Sequence, residues 1–384
     1  NLKSFGACFG VSGGYERPMW FALDGEKAEY EYSYNYQSWY PSAEYETNNT
    51  VKNVGLFDLT PFSKFEIKSD KAHQELQKIC TANIKNEPGK CVYTHMLNPD
   101  GGIETDLTVV CIDKNHFRII SSAATRERDK FHINKHLSKN VELKDITDDL
   151  CVFGLFGPKS RDLLKTLSED NFENDQFKFG FAKFITIDGI KIWTQRLSYV
   201  GELGYELYVD LKDAKKIYEL LIEKGKDFNL SNCGMHAMDI MRMESGFLHW
   251  GHDISPEENQ YQAGLAFTIS NKKDVDFIGK QSLEKIKKEK QKSRFAMFTL
   301  KESEPGKPLL LHDEPIYIDD KIIGRSTSGN YSFNFKKNLV FGYIKNDLSN
   351  EELQSKNLFI EVEKQKYPIS IQSEPLKRTD FKNL

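Results

Sequence analysis

Apolar and polar residues alternate with a period of two over many short stretches of this chain, and only a few runs carry the helical period. From Val51, VGLFDLTPFSKFEIKS reads as two short strands around Pro61. A helix is predicted over 69–83 (SDKAHQELQKICTAN), capped by Ser69, with Ala72, Leu76 and Ile79 at helical spacing. CVYTHMLNPDGGIETDLTVVCID (91–113) is a hairpin signal: two β-rich runs either side of Asn98-Pro99-Asp100-Gly101-Gly102. In its second run Ile103, Thr105, Leu107, Val109 and Cys111 share one face, and Glu104, Asp106, Thr108 and Val110 share the other.

Further on, CVFGLFG (151–157) reads as a buried strand, and GPKSRDLLKTLSED (157–170) as a helix with Pro158 in its first turn. Strand, turn and strand follow over 185–210, with Gly201 and Gly204 as punctuation, and then an amphipathic helix over 213–228. AMDIMRMESGFLHWGHDI (237–254) opens as a helix containing Arg242 and ends in an aromatic, glycine-containing loop. Residues 1–45 show no periodic element and are rich in Tyr and Trp, which predicts an irregular arm laid over another surface. A basic helix around 282–292 reads as a linker, and 293–384 as short strands forming a small all-β barrel or sandwich. The order is mixed α+β followed by all-β, and no run of βαβ units predicts a doubly wound sheet.

At 384 residues two or three domains are expected. The net charge of −4 gives no footprint for nucleic acid, basic residues clustering only at 285–292. No apolar run reaches membrane-spanning length, and no signal-peptide pattern opens the chain, so a cytoplasmic setting is expected. The six cysteines lie far apart without metal-ligand spacing, which predicts buried thiols in place of a disulfide frame or zinc site. The chain begins at Asn1, which leaves room for upstream residues in a parent protein.

Asp106 is the first chemical candidate, since a strand just after a Gly-Gly turn can aim a carboxylate into a cavity. The alternative is an ordinary polar residue on the solvent face of a hairpin, and position alone does not separate the two. Glu206 and Tyr199 bracket the glycine turn, where a carboxylate could accept the two parallel donors of an amino-pyrimidinone edge. The alternative makes Glu202 and Glu206 solvated loop acids. Arg242, among Ile240, Met241 and Met243, is either an internal ion pair with Glu244 or Asp239, or a ligand clamp. His249 and His252 lack the spacing of a helical zinc site, no GxSxG elbow occurs, and no GxGxxG follows a strand.

Together, YERPMWFA (15–22), VGLFDLTPFSKFEI (54–67), YTHMLNPDGGIETDLTV (93–109), FGLFGPKSRDLL (153–164), YVGELGYEL (199–207), MRMESGFLHWGHDI (241–254) and GRSTSGNYS (324–332) resemble the folate-dependent aminomethyltransferases, the T-protein of glycine cleavage. The resemblance runs closest to the folate-binding half of dimethylglycine and sarcosine dehydrogenases. It implies a three-domain ring: 1–62 with 150–255, then 63–149 with 256–290, and a barrel over 291–384. It places the catalytic aspartate on Asp106, and the folate-holding residues on Tyr199, Glu206, Arg242, Trp250 and, through the C-terminal arginine of the family, Arg378. It implies tetrahydrofolate as one-carbon acceptor and a methylated amine as donor, with FAD only in an upstream or partner flavoprotein domain. A direct demethylase of an O- or S-methyl donor, or a folate-binding module without catalysis, is the alternative that the same resemblance leaves open.

Overall fold

The computed structural model describes residues 1–377. β1 (Ala7–Ser12) and β2 (Tyr15–Phe21) pair as an antiparallel hairpin, and α1 (Tyr40–Lys52) follows. The first 45 residues are therefore not an irregular arm. α1 escaped the apolar periodicity because the residues it buries are largely polar: Ser42, Glu46, Thr47, Asn49 and Thr50. Each such group needs a partner once water is removed. Asn49 Nδ2 donates to Asn229 O at 2.7 Å and Ser231 Oγ at 2.8 Å. The Glu46 carboxylate accepts from the backbone N–H groups of Phe21 (2.7 Å) and Gly234 (2.8 Å), so it ties the hairpin to the body.

β3 (Val54–Asp58) and β4 (Ser63–Lys68) are the strands expected around Pro61, but they enter different sheets. α2 (Ala72–Ile79) starts three residues beyond Ser69, which does not cap it; the Ser69 hydroxyl accepts from Lys71 N in the preceding turn at 3.2 Å. β5 (Cys91–Leu97), β6 (Ile103–Asp113), β7 (His116–Ser121), α3 (Arg126–His136) and β8 (Leu143–Asp145) complete an antiparallel five-stranded sheet with the order β5-β6-β7-β4-β8. Burial alternates along β6 as its sequence predicts: Leu107, Val109 and Cys111 pack with Leu76, Ile79 and Ile133 of the helices behind. Glu104, Asp106 and Thr108 face the other way, half-buried.

β9 (Leu150–Phe156) is the expected buried strand, and α4 (Ser160–Leu167) begins two residues after Pro158, which lies outside its first turn. β10 (Ala182–Ile187), β11 (Ile190–Gln195), β12 (Gly204–Asp210), α5 (Leu211–Gly225) and β13 (Leu230–Cys233) follow. The six-stranded sheet has the order β10-β11-β12-β9-β3-β13, parallel only between β3 and β13. One face packs α4 and α5 through Leu163, Leu164, Ile217 and Leu221. From the other face Val152, Trp193 and Tyr208 share a core with Cys91, Val110 and Ile120 of the five-stranded sheet. The two sheets thus face one another.

α6 (Met235–Glu244) and α7 (Lys280–Lys288) lead to the last region. There β14 (Ser293–Leu300), β15 (Pro315–Ile318), β16 (Lys321–Ser332), β17 (Lys337–Lys345), α8 (Asn350–Gln354), β18 (Leu358–Val362) and β19 (Gln365–Gln372) build a closed barrel of order β14-β17-β16-β15-β18-β19. Closure leaves no free sheet edge. Among the described residues the six cysteines are unpaired, no His/Cys/Asp/Glu group could hold a metal, and no helix is long and apolar enough to cross a membrane.

Candidate active site

Asp106 and His95 stand directly opposite one another across β5 and β6. In an antiparallel pair this puts both side chains on the same face, together with Tyr93 two residues along. The Tyr93 hydroxyl lies 3.3 Å from Asp106 Oδ2 and 3.2 Å from His95 Nε2. Burial, reinforced by the Asp129 carboxylate on α3, pushes the Asp106 carboxyl up to about 6. Asp129 is itself lifted to about 6 by burial, although Ser121 and Thr125 both donate to its Oδ2 at 2.6 Å. Asp106 is thus a half-buried carboxyl on the inner face of the hairpin.

Glu206 lies on β12, on the wall opposite. It is 8% exposed, which removes the reading of a solvated loop acid, and burial pushes its carboxyl up to about 7. Tyr208 Oη donates to its Oε2 at 2.9 Å. Gln195 is its cross-strand partner on β11 and is fully buried, yet neither Oε1 nor Nε2 has a hydrogen-bond partner. Cys91, on the Asp106 side, has its thiol pushed up by burial and then by the Glu206 charge, which marks how near the walls come. Glu202 is also buried and takes an ion pair from Lys377.

Tyr199 sits in the loop ahead of β12, donates from Oη to Leu248 O at 2.9 Å and stacks on Phe247 with centroids 5.9 Å apart. Burial pushes its phenol up, and the Asp106 carboxylate adds to the shift. Arg242 takes the ion-pair alternative, and its partners are Asp239 and Asp253, not Glu244. The same guanidinium donates to Phe247 O at 3.1 Å and Ser328 Oγ at 2.8 Å, while Glu244 accepts from Ser332 and Asn334. Trp250 reaches back to the Asp106 hairpin: its Nε1 donates to Ile103 O at 3.2 Å, and Arg128 lies over its ring at 5.3 Å. Arg378 lies outside the described residues.

The structure therefore brings Asp106, Tyr199 and Glu206 to facing walls, with Arg242 behind the loop that carries Tyr199's partners. Reading the sequence missed Tyr93, His95, Asp129 and Gln195. Tyr93 and His95 were open to discovery, because the hairpin register around Asn98–Gly102 pairs them with the Asp106 face. A separate cleft of about 450 Å³, lined by Pro18, Phe57, Asp58, Cys151 and Tyr218, holds none of these residues.

Residues 1–273 match the GCVT N-terminal domain, and residues 294–377 match the glycine cleavage T-protein C-terminal barrel domain. The chain is 36% identical over 331 residues to a 4-methylaminobutanoate oxidase (formaldehyde-forming) of Paenarthrobacter nicotinovorans, covering 86% of this chain and 40% of that protein. It is 33% identical over 374 residues to the mitochondrial dimethylglycine dehydrogenase of Rattus norvegicus, covering 97% of this chain and 43% of that protein. The chain thus spans less than half the length of these relatives. In fold it is similar to the glycine cleavage system aminomethyltransferase T from Bartonella henselae, with a TM-score of 0.82, 20% identity, and coverage of 98% of this chain and 96% of the other. With its two facing sheets, its closed barrel and both halves of the family pattern in order, the chain belongs to the glycine cleavage T-protein family of folate-dependent aminomethyltransferases.

Proposed function

We propose that this chain loads a one-carbon unit onto tetrahydrofolate in the space between the two sheets. The carrying observation is a pair of carboxyls on facing walls, Asp106 and Glu206, both lifted toward neutrality by burial. The donor set supports this ligand: Glu206 can accept parallel N–H donors, and beside it the Gln195 amide has a free donor and acceptor. An amino-oxo heterocycle presents the complementary edge. Tetrahydrofolate, when bound, supplies the amine nitrogens that take up the carbon.

The chain's own residues then divide the work. Glu206 and Gln195 fix the heterocycle, and Tyr199 with Phe247 offers an aromatic wall. Asp106 exchanges a proton near neutral pH and, when ionised, stabilises developing positive charge. Arg242 holds the 247–253 loop through Phe247 O and Asp253 and supports the site from behind. The likeness to dimethylglycine dehydrogenase and the formaldehyde-forming oxidase supports an N-methyl amine as the carbon source, with dimethylglycine, sarcosine and 4-methylaminobutanoate as candidates. Its oxidation, and any FAD, would belong to a partner or fused flavoprotein domain.

The test combines calorimetry of tetrahydrofolate binding with product analysis, with and without an amine-oxidising flavoprotein. The expected result is micromolar-range binding and methylene-tetrahydrofolate formed only when the amine is being oxidised. Methyl-tetrahydrofolate formed from a methyl donor alone would replace this reading with direct demethylation. Binding without any product would leave a folate-holding module.

A further inference from the structure

The hydrogen-bond chain behind Asp106 determines which ring nitrogen of His95 carries its hydrogen. Thr268 Oγ1 donates to Leu265 O at 2.7 Å, so toward other neighbours it can only accept. His95 Nδ1 lies 2.9 Å from that oxygen and donates to it, the shorter of its two contacts, the Gln260 amide nitrogen standing 3.3 Å from the same Nδ1. Gln260 Nε2, 3.4 Å from the same oxygen, is a second donor to it. His95 Nε2 is therefore a bare lone pair, 3.2 Å from the Tyr93 hydroxyl. Burial keeps the imidazole neutral by holding its pKa down at about 3, so it acts as an acceptor and not as a cation. Tyr93 has one hydroxyl hydrogen and two acceptors within reach, His95 Nε2 and Asp106 Oδ2.

We propose that His95 is a positioning residue for Asp106, giving the Tyr93 hydroxyl a second acceptor so that Tyr93 stays hydrogen-bonded within the site whether Asp106 is ionised or protonated. When Asp106 is ionised, Tyr93 O–H points to Oδ2. When Asp106 takes a proton from solvent, its new O–H donates to Tyr93 Oη, and Tyr93 turns its hydrogen to His95 Nε2. One proton enters, and no other bond to hydrogen is broken. The titratable groups on the face of Asp106 are Tyr93 and His95 from β5 and Tyr199 from the loop before β12, while the Asp129 charge acts on it from α3 behind the sheet. His95 stabilises the protonated form in this arrangement, so removing it should lower the proton affinity of Asp106.

The proposal rests on reading Asp106 as the proton-exchanging group, but it can be tested on ligand-free protein. The protonated carboxyl of Asp106 is followed against pH by isotope-edited infrared difference spectroscopy, with Asp106→Asn identifying its band. His95→Leu should move the midpoint down by about one pH unit, the worth of one hydrogen bond between neutral groups. The same change in a Tyr93→Phe background should move it by nothing further, since the intermediary is gone. If His95→Leu does not fold, His95→Asn and His95→Gln separate the cases: Gln places its oxygen where Nε2 lies and should keep the wild-type midpoint, and Asn should not. An unchanged midpoint in His95→Leu or His95→Asn, or an equal shift with Phe at 93, overturns the relay. Tetrahydrofolate binding measured separately on the same variants judges the functional reading, which can fail while the midpoint shift stands.

Discussion

Arg242 Nη1 lies 2.5 Å from Asp253 Oδ2, and both side chains are almost completely excluded from solvent. This ion pair joins three parts of the molecule. Arg242 comes from α6 and Asp253 from the loop after it, while Thr327 and Ser328 of β16 donate to Asp253 Oδ1. The His249 backbone N–H donates to Oδ2 as well, at 3.0 Å. The pair therefore fastens the loop bearing Phe247, Leu248 and Trp250 to the barrel, and that loop supplies the contacts of Tyr199 and of the Asp106 hairpin.

Removing one member of such a pair leaves a buried charge without its counter-ion. Asp253→Ala should lower stability by about 3 kcal/mol, read as the shift of the urea midpoint. A loss below about 1 kcal/mol would mean that Asp239 alone satisfies Arg242. Arg242→Lys is expected to fall between, because an ammonium cannot make the forked contacts to Asp239, Asp253 and Ser328 at once.

Glu206 gives a pH dependence with a definite sign. Its carboxyl titrates near 7 in the folded chain against an ordinary value of 4.5, so the folded state holds the proton more tightly. Its contribution to stability is fully present below about 4.5 and is lost as pH rises through about 7. Ligand binding should run the other way, because only the ionised form accepts two N–H donors. Tetrahydrofolate affinity should strengthen between about pH 6 and pH 8, and Glu206→Gln should remove that slope in calorimetry. A slope that survives in Glu206→Gln assigns the titration to another group.

Gly201 is positioned by two constraints at once. Its φ is +69°, and a Cβ there would meet Ser245 Oγ at 2.1 Å. Gly201→Ala should therefore cost about 2 kcal/mol in thermal or urea unfolding and should weaken folate binding, because Tyr199 lies two residues away on the same turn. Shortening the neighbour with Ser245→Gly in the same chain should recover the steric part only.

How much of this was legible in the sequence depends on where each partner lies. The period-two alternation of β6 placed Asp106 on its face correctly, because a half-buried strand writes its orientation into every second residue. The barrel was legible for the same reason. α1 was not, since its inward face is Ser42, Glu46, Asn49 and Thr50, and polarity looks like exposure until the hydrogen-bond partners are known. For the same reason the residues alone left Glu206 and Glu202 open to a solvated alternative. The partners of His95 at Thr268 and Gln260 lie more than 160 residues away and share no local pattern with it. Arg242 read as an ion pair or a ligand clamp, and its second acid at Asp253 depended on how the 247–253 loop folds back.

The buried face of α1 makes one further consequence measurable. Glu46 uses both carboxylate oxygens, Oε1 on Phe21 N and Oε2 on Gly234 N, and so clamps the β1–β2 hairpin against the start of α6. Glutamine has the same shape but one oxygen, and its amide nitrogen would face a backbone N–H as donor against donor. Glu46→Gln should cost about 2 kcal/mol, the penalty of leaving one buried donor unmatched. The loss should appear first as faster protease cleavage in the 24–37 segment and as faster hydrogen exchange at Phe21, before global unfolding. Equal protection at Phe21 in wild type and Glu46→Gln would show that the β1–β2 pairing holds the hairpin without the clamp.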